Sequence, residues 1–403
     1  MAVSPFFNTA TNQLLLFFLF FLLVVGIRRK VKLMDNKIAG ILIALYVLIA
    51  IQGVLFQGFS YAVFYFPLIT FYIPYLIYRL SGVTFFTYFN KVLFVMALFT
   101  LPLWILQSVY PPFDQFLRVA IELVQPLSWG SVPRSLLFYT AAWTDDIFNA
   151  SLGIYRNSGF FHEPGAYGVF LALGIATNTL LTGKMFDNKN KVFIACLLTT
   201  LSTTAYIVLF IVLSTYLIKV KINPAFKMMV FFSFIIISIQ VYQSEEFLQS
   251  KIQSQYKDQT YAAQNNFGRS EAYSGRFYAF FTSVNLFMEN PVFGRGIVYA
   301  TSEKASGEMH AEASYTYGFM GVLATYGIFF GIFYLFYFFR GIKRIGLLSR
   351  QPAYFIVAIF IAINLSLLTQ IFITSTIIVL IFIIGIYSGN KKNNPHLSPI
   401  YIK

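Results

Sequence analysis

The chain has 403 residues, 58% of them hydrophobic and only 11% charged, and its mean hydropathy is +0.70. A water-soluble domain of this size needs far more charge to cover its surface, so a soluble globular protein is excluded. The formal charge of +14 leaves nucleic acid and anionic lipid both open until its distribution is known.

The apolar runs predict an all-α polytopic membrane protein, with 48 Phe and 27 Tyr suited to lipid-facing surface and interfacial belts. About eleven helical segments are expected, at 6–27, 38–56, 59–78, 92–110, 165–183, 192–201, 203–218, 225–242, 316–339, 353–369 and 371–387. Several are long enough for a hydrocarbon core of roughly 30 Å. The first has no basic stretch before it and no small-residue cleavage site after it, and Arg28-Arg29-Lys30 follows directly. It reads as a retained helix rather than a secretory signal. Residues 1–390 are expected to form one membrane domain, followed by a tail, 391–403. The single Cys196 rules out an intrachain disulfide and a cysteine-rich metal site.

Charge collects between and at the edges of these segments, and alternate connections are basic. They are 28–37, 79–91, 184–191, 219–227, 340–350 and the tail, with 20 of the 29 basic residues but only Asp35 and Asp187 of the 15 acids. The positive-inside rule puts them in the cytoplasm. The N-terminus is then periplasmic, the C-terminus cytoplasmic, and loops 111–163 and 243–315 share the periplasmic face. Nine basic residues against 13 acids remain on that face, so the basic surplus reports topology and nucleic acid is not an expected partner.

Residues 192–218 are 27 apolar residues with basic connections at both ends. A single crossing would reverse the sidedness of everything after it. The sequence therefore predicts a broken or re-entrant pair turning near Leu201-Ser202-Thr203-Thr204, where hydroxyls satisfy freed backbone groups. One long tilted helix is the competing reading. Broken helices at membrane depth line cavities in many membrane proteins.

The first outer loop opens on Pro111-Pro112 and an amphipathic stretch to Leu127, with Arg118 and Glu122 at helical i,i+4 spacing. It is expected to lie on the membrane. Then Arg156-Asn157-Ser158-Gly159-Phe160-Phe161-His162-Glu163-Pro164-Gly165 packs a cation, a base and a carboxylate into eight residues. Pro164 suits a first helical position and Glu163 the positive helix terminus; a helix cap with a surface salt bridge is the plainer reading. The second loop carries Arg269, Arg276, Arg295 in a Gly294-Arg295-Gly296 turn, and Glu308 to Tyr315 with His310 and Glu312. Arginine forks suit phosphate oxygens, and pairing with the outer acids is the alternative. His162 and His310, each near a glutamate, suit a general base. They lack the spacing of a metal site.

Arg156-x-x-Gly159-Phe160-Phe161-x-Glu163-Pro164 resembles a stretch of Wzy-type polysaccharide polymerases. Ser274-Gly275-Arg276, Asn290-Pro291-x-x-Gly294-x-Gly296, and a His before a helix with Gly318, Gly321 and Gly327 are similar to the wider O-antigen polymerase and ligase superfamily. The resemblance covers roughly residues 150–340. It implies a bacterial inner-membrane glycosyltransferase that moves glycan from undecaprenyl diphosphate to a sugar hydroxyl, building O-antigen or exopolysaccharide with no cofactor and no metal. Partners implied are the undecaprenyl-diphosphate-linked glycan, membrane lipid, a chain-length regulator and a flippase. In that reading Arg276 and Arg156 hold the diphosphate, and Glu163 or His310 activates the acceptor. Arg269, Arg295, His162, Glu312 and Tyr315 contact substrate. Ligases of the superfamily place an arginine after a serine at the broken-helix tip; here the stretch is Ser202-Thr203-Thr204-Ala205, which favours polymerase over ligase. A flippase or transporter is the reading from another class, but such proteins commonly carry charge inside their helices.

Overall fold

A computed structural model describes residues 11–56, 62–124, 135–136, 139–140, 148–149, 154–161, 163–220, 223–225, 227–229, 232, 276–296, 318–368 and 375–388. The described residues are overwhelmingly helical, and the chain is membrane-embedded. Four helices, Asn36–Leu55, Thr84–Val109, Pro164–Thr182 and Gly318–Leu348, are long and apolar enough to cross a bilayer. The fold divides into two compact units, one built from residues 1–11, 86–252 and 346–366, the other from 12–85, 253–345 and 367–403.

The second unit begins with α1 (Thr11–Arg28) and α2 (Asn36–Leu55). Asp35 caps α2, its carboxylate accepting from the backbone N–H groups of Lys37 and Ile38 at 3.1 Å. Next comes a segment with a change of helical pitch: α3 (Ala62–Pro67), a π-helical turn at Leu68–Tyr72, and α4 (Ile73–Ser81). Prolines at 67 and 74 bracket the turn; each removes a ladder donor, and the wider hydrogen-bond register accommodates that loss. The later helices of this unit are α10 (Arg276–Glu289), most of α11 (Gly318–Leu348) and α13 (Thr376–Tyr387). Helix α13 is buried on all sides and packs on α4 and the π-turn. It reaches α11 closely because Gly341 faces the Ile381 carbonyl and Gly385 the Tyr337 carbonyl, a small-residue crossing of the kind that lets membrane helices approach.

The first unit contains α5 (Thr84–Val109), α6 (Pro111–Val124), α7 (Pro164–Thr182), α8 (Asn188–Thr199), α9 (Thr203–Lys219) and α12 (Ala353–Leu367). Two short hairpins, 135–136 with 139–140 and 148–149 with 154–155, precede α7. Helix α7 is the hub: it is buried from Pro164 to Leu180 and packs on both α8 and α9. Gly174 admits Leu93 and Phe193 against its backbone, and Gly168 admits Ala205.

The segment expected to break near 201–204 does break there: α8 stops at Thr199, Leu201 takes a left-handed φ of 48°, and Ser202 stands at the N-cap position of α9 without a side-chain capping bond. Several boundaries differ from the sequence reading, and two differ by eight or nine residues. Helix α11 runs on to Leu348, so Arg340, Lys343 and Arg344 extend its last turns rather than forming a loop. Helix α5 starts at Thr84, so Lys91 is helical too. Long basic side chains reach past the end of a span to polar surroundings, so helices outrun their apolar stretches. The tail 391–403 and most of 225–242 lie outside the described residues.

Candidate functional site: two helix breaks filled by loop motifs

The N-terminal end of α7 gathers the first set of candidates. Arg156 is only 7% exposed, and its Nε donates to the Thr200 carbonyl at 3.1 Å. The adjacent Asn157 is fully buried. Its N–H donates to the Thr199 carbonyl at 2.9 Å, its Nδ2 to the Thr199 hydroxyl at 2.9 Å, and its Oδ1 accepts from Gly159 N–H at 2.9 Å. The last carbonyls of a helix have no partner within it. Here the 156–159 segment supplies those partners across the break between α8 and α9. Gly159 is left-handed (φ 57°), with Tyr167 packed where a side chain would stand.

Glu163 precedes α7 in extended conformation and is partly buried; its side chain makes no capping bond. Gly168, one turn inside α7, touches Ala205 and Ser202, so the N-termini of α7 and α9 converge beside Arg156. Both dipoles carry their positive pole there. The surrounding loop is tied to the same end of the unit. Trp104 Nε1 donates to the Tyr155 carbonyl at 2.6 Å, and Thr140 N–H donates to the Gly159 carbonyl at 2.7 Å. A chain of side chains runs from the Tyr139 hydroxyl to Gln107 Oε1 (2.5 Å) and from Gln107 Nε2 to Asp114 (2.9 Å). Burial first, then the Asp114 charge, pushes the Tyr139 phenol up, so it remains a donor. The Ser158 hydroxyl is buried without a hydrogen-bond partner.

The opposite end of this unit carries the basic connections. Lys219 Nζ donates to the Gly183 carbonyl at 3.2 Å and to Gln351 Oε1 at 2.9 Å, while Gln351 Nε2 donates to the Thr179 carbonyl at 3.2 Å. Asp187 caps α8 and accepts from Asn178 at 2.8 Å. Thus Lys184, Lys189, Lys191 and Lys219 lie at one end of α7–α9, and Arg156 and Glu163 at the other.

In the other unit a second break appears that the sequence reading did not foresee. Helix α11 is interrupted at Gly327 (φ 79°, ψ 178°). The Asn290–Gly296 turn fills the gap: Arg295 N–H donates to the Ala324 carbonyl at 2.7 Å, Gly296 N–H to Thr325 at 3.1 Å, and Ile328 N–H to Pro291 at 2.8 Å. Gln52 of α2, 4% exposed, donates through Nε2 to the Phe293 carbonyl at 2.6 Å and the Thr325 carbonyl at 2.8 Å. Gly294 and Gly327 lie so close to the opposing backbone that a β-carbon at either would collide with it. The Asn290-Pro291-x-x-Gly294-x-Gly296 pattern, read as a turn from sequence, is the mate of a broken membrane helix. A lone Gln in an apolar run was the available sign of that partnership.

Arg295 itself forms an ion pair with Glu289 and stands 5.5 Å from the centre of the Phe56 ring. Arg276 is the first residue of α10, and its side chain is not described. His162, Arg269, His310, Glu312 and Tyr315 lie outside the described residues. No metal-binding cluster occurs among the described residues.

Residues 192–335 match the family model described as O-antigen ligase. The matched stretch starts in α8, includes the first break, and ends in α11 beyond the Gly327 break. It supports the O-antigen ligase and polymerase superfamily and with it glycan processing at a membrane, without separating ligation from polymerisation. No curated protein and no solved structure matches the chain.

Proposed function

We propose that the protein polymerises polyprenyl-diphosphate-linked oligosaccharide units, undecaprenyl diphosphate being the carrier, at the periplasmic face of the bacterial inner membrane. The observation that carries this reading is Arg156, buried and braced by the α8–α9 break where the N-termini of α7 and α9 converge. A diphosphate develops negative charge as it leaves, and a fixed guanidinium with two helix N-termini answers that charge without reorganising.

The reaction is a displacement. The bond between the anomeric carbon and the diphosphate oxygen breaks, and its electron pair goes to that oxygen. An acceptor sugar hydroxyl forms the new bond to the anomeric carbon, and its proton passes to Glu163 or His310. Arg156 and Arg276 hold the diphosphate; Arg269, His162, Glu312 and Tyr315 contact the glycan or phosphate. Arg295, engaged with Glu289, reaches phosphate only by exchanging that partner. Polymerase is favoured by the Ser202-Thr203-Thr204-Ala205 tip, which lacks arginine.

A second reading, transfer of finished glycan to a lipid core, is favoured by the ligase description of the matching family. Purified protein in detergent, given a short undecaprenyl-diphosphate oligosaccharide, separates the two. Longer lipid-linked products support polymerisation, and glycan appearing only on an added lipid core supports ligation. Absence of both products, with lipid-linked sugar crossing vesicles instead, sinks both enzyme readings. A chain-length regulator and a flippase are the partners to test by co-purification.

A further inference from the structure

The break at Gly327 is a braced polar feature of the second unit. Where a membrane helix is interrupted, its carbonyls and N–H groups need partners, because hydrocarbon offers none. The Asn290–Gly296 turn makes three backbone bonds with it, and Gln52, from a different helix, donates once to the broken helix and once to the turn. Gln52 is the one side chain among the described residues that donates to both the turn (Phe293) and the broken helix (Thr325). It lies outside the 192–335 family match.

The turn is continuous with α10, since Asn290 N–H donates back to Leu286 at 3.3 Å and Phe287 at 3.2 Å. Helix α10 begins at Arg276 and spans 14 residues, about 21 Å at ~1.5 Å per residue. A small rotation of the turn therefore displaces the far end of α10 by a larger distance. The chain also leaves the turn into 297–317, the segment with His310, Glu312 and Tyr315.

We propose that Gln52 is a positioning residue for glycosyl transfer: by fastening the Asn290–Gly296 turn into the Gly327 break, it fixes the helix that starts at Arg276. This rests on the transferase reading above. Its free amide protons are both committed, so it takes no part in the chemistry and acts through the arginine it holds in place.

The test uses the full-length protein. Gln52→Met keeps length and volume but removes both donors. It is expected to lower kcat about 10²-fold, as ångström-scale misplacement of a reacting group does, with KM little changed and the detergent melting temperature close to that of the native protein. In Gln52→Glu a neutral carboxylic acid donates one bond where a carboxylate repels both carbonyls, so its activity relative to native protein is expected to rise as pH falls.

Hydrogen exchange gives a readout that needs no activity: the amides of Arg295, Gly296 and Ile328 are expected to exchange faster in Gln52→Met. Unchanged exchange at those amides overturns the proposal, as does native kcat in Gln52→Met. A melting temperature that drops while the folded fraction keeps native kcat assigns Gln52 to stability alone and also overturns it. A native protein inactive toward every acceptor fails the transferase reading instead, and exchange still decides whether Gln52 holds the turn.

Discussion

The Nε of Arg156 donates to the carbonyl of Thr200, 44 residues later in the chain, across the point where one apolar stretch is folded into two helices. That bond joins the Arg156–Glu163 motif to the break. Arg156 is held by the backbone it caps, so its guanidinium is oriented before any substrate arrives. Such preorganisation separates an electrostatic contribution to catalysis from ordinary charge attraction.

Replacing Arg156 by Lys keeps the charge but loses the planar fork and the Nε donor. Product formation is expected to fall about 10²-fold or more, the range for removing a preorganised donor, with membrane insertion retained. Arg276→Ala is expected to abolish product at normal abundance. Both are read from elongation products on a gel against immunodetected protein; an active Arg276→Ala removes that residue from the site.

Gly327→Ala places a methyl group against the Val292 carbonyl at a left-handed φ of 79°. A loss of at least ~2 kcal/mol in stability is expected from strain of this kind, seen as a lower melting temperature in detergent. Gly40→Ala, in α2 with open space around the new methyl, is expected to be neutral or stabilising by ~1 kcal/mol.

Asp35 supplies a pH dependence. Burial acts to raise its carboxyl, but hydrogen bonds from Tyr387, from the Ile38 and Lys37 N–H groups and from Tyr75 outweigh it and hold it below the usual carboxylate range. A carboxylate depressed in the folded state contributes stability above its unfolded value, near pH 4, and loses it as pH falls through the folded value. The melting temperature is expected to drop on acidification below about pH 4. Asp35→Asn is expected to be less stable at neutral pH and to show a smaller acid-side drop.

Sidedness is open to thiol labelling. Gln115 on α6 and Lys184 after α7 are both exposed, and Cys196 is buried. Gln115→Cys is expected to react with an impermeant maleimide added outside spheroplasts, and Lys184→Cys only after permeabilisation. The reverse pattern inverts the topology.

The sequence by itself determined the membrane character, most helical segments, the alternation of basic connections and the break near Leu201. These are local or summed properties: apolar length, charge between spans, and an apolar run whose flanking charges forbid one crossing. It also singled out Arg156, Gly159, Gly294 and Gly296 by residue type. Tertiary structure alone decided what those residues touch. Nothing near Gly327 in the chain announces a break, because the groups that satisfy it come from Pro291, Arg295, Gly296 and Gln52, as many as 275 positions away. For Arg295 the sequence leaves phosphate contact and pairing with an outer acid both open, and in space it meets Glu289. Hydrogen-bond partners across a broken helix are chosen by packing, which single-chain periodicity does not encode.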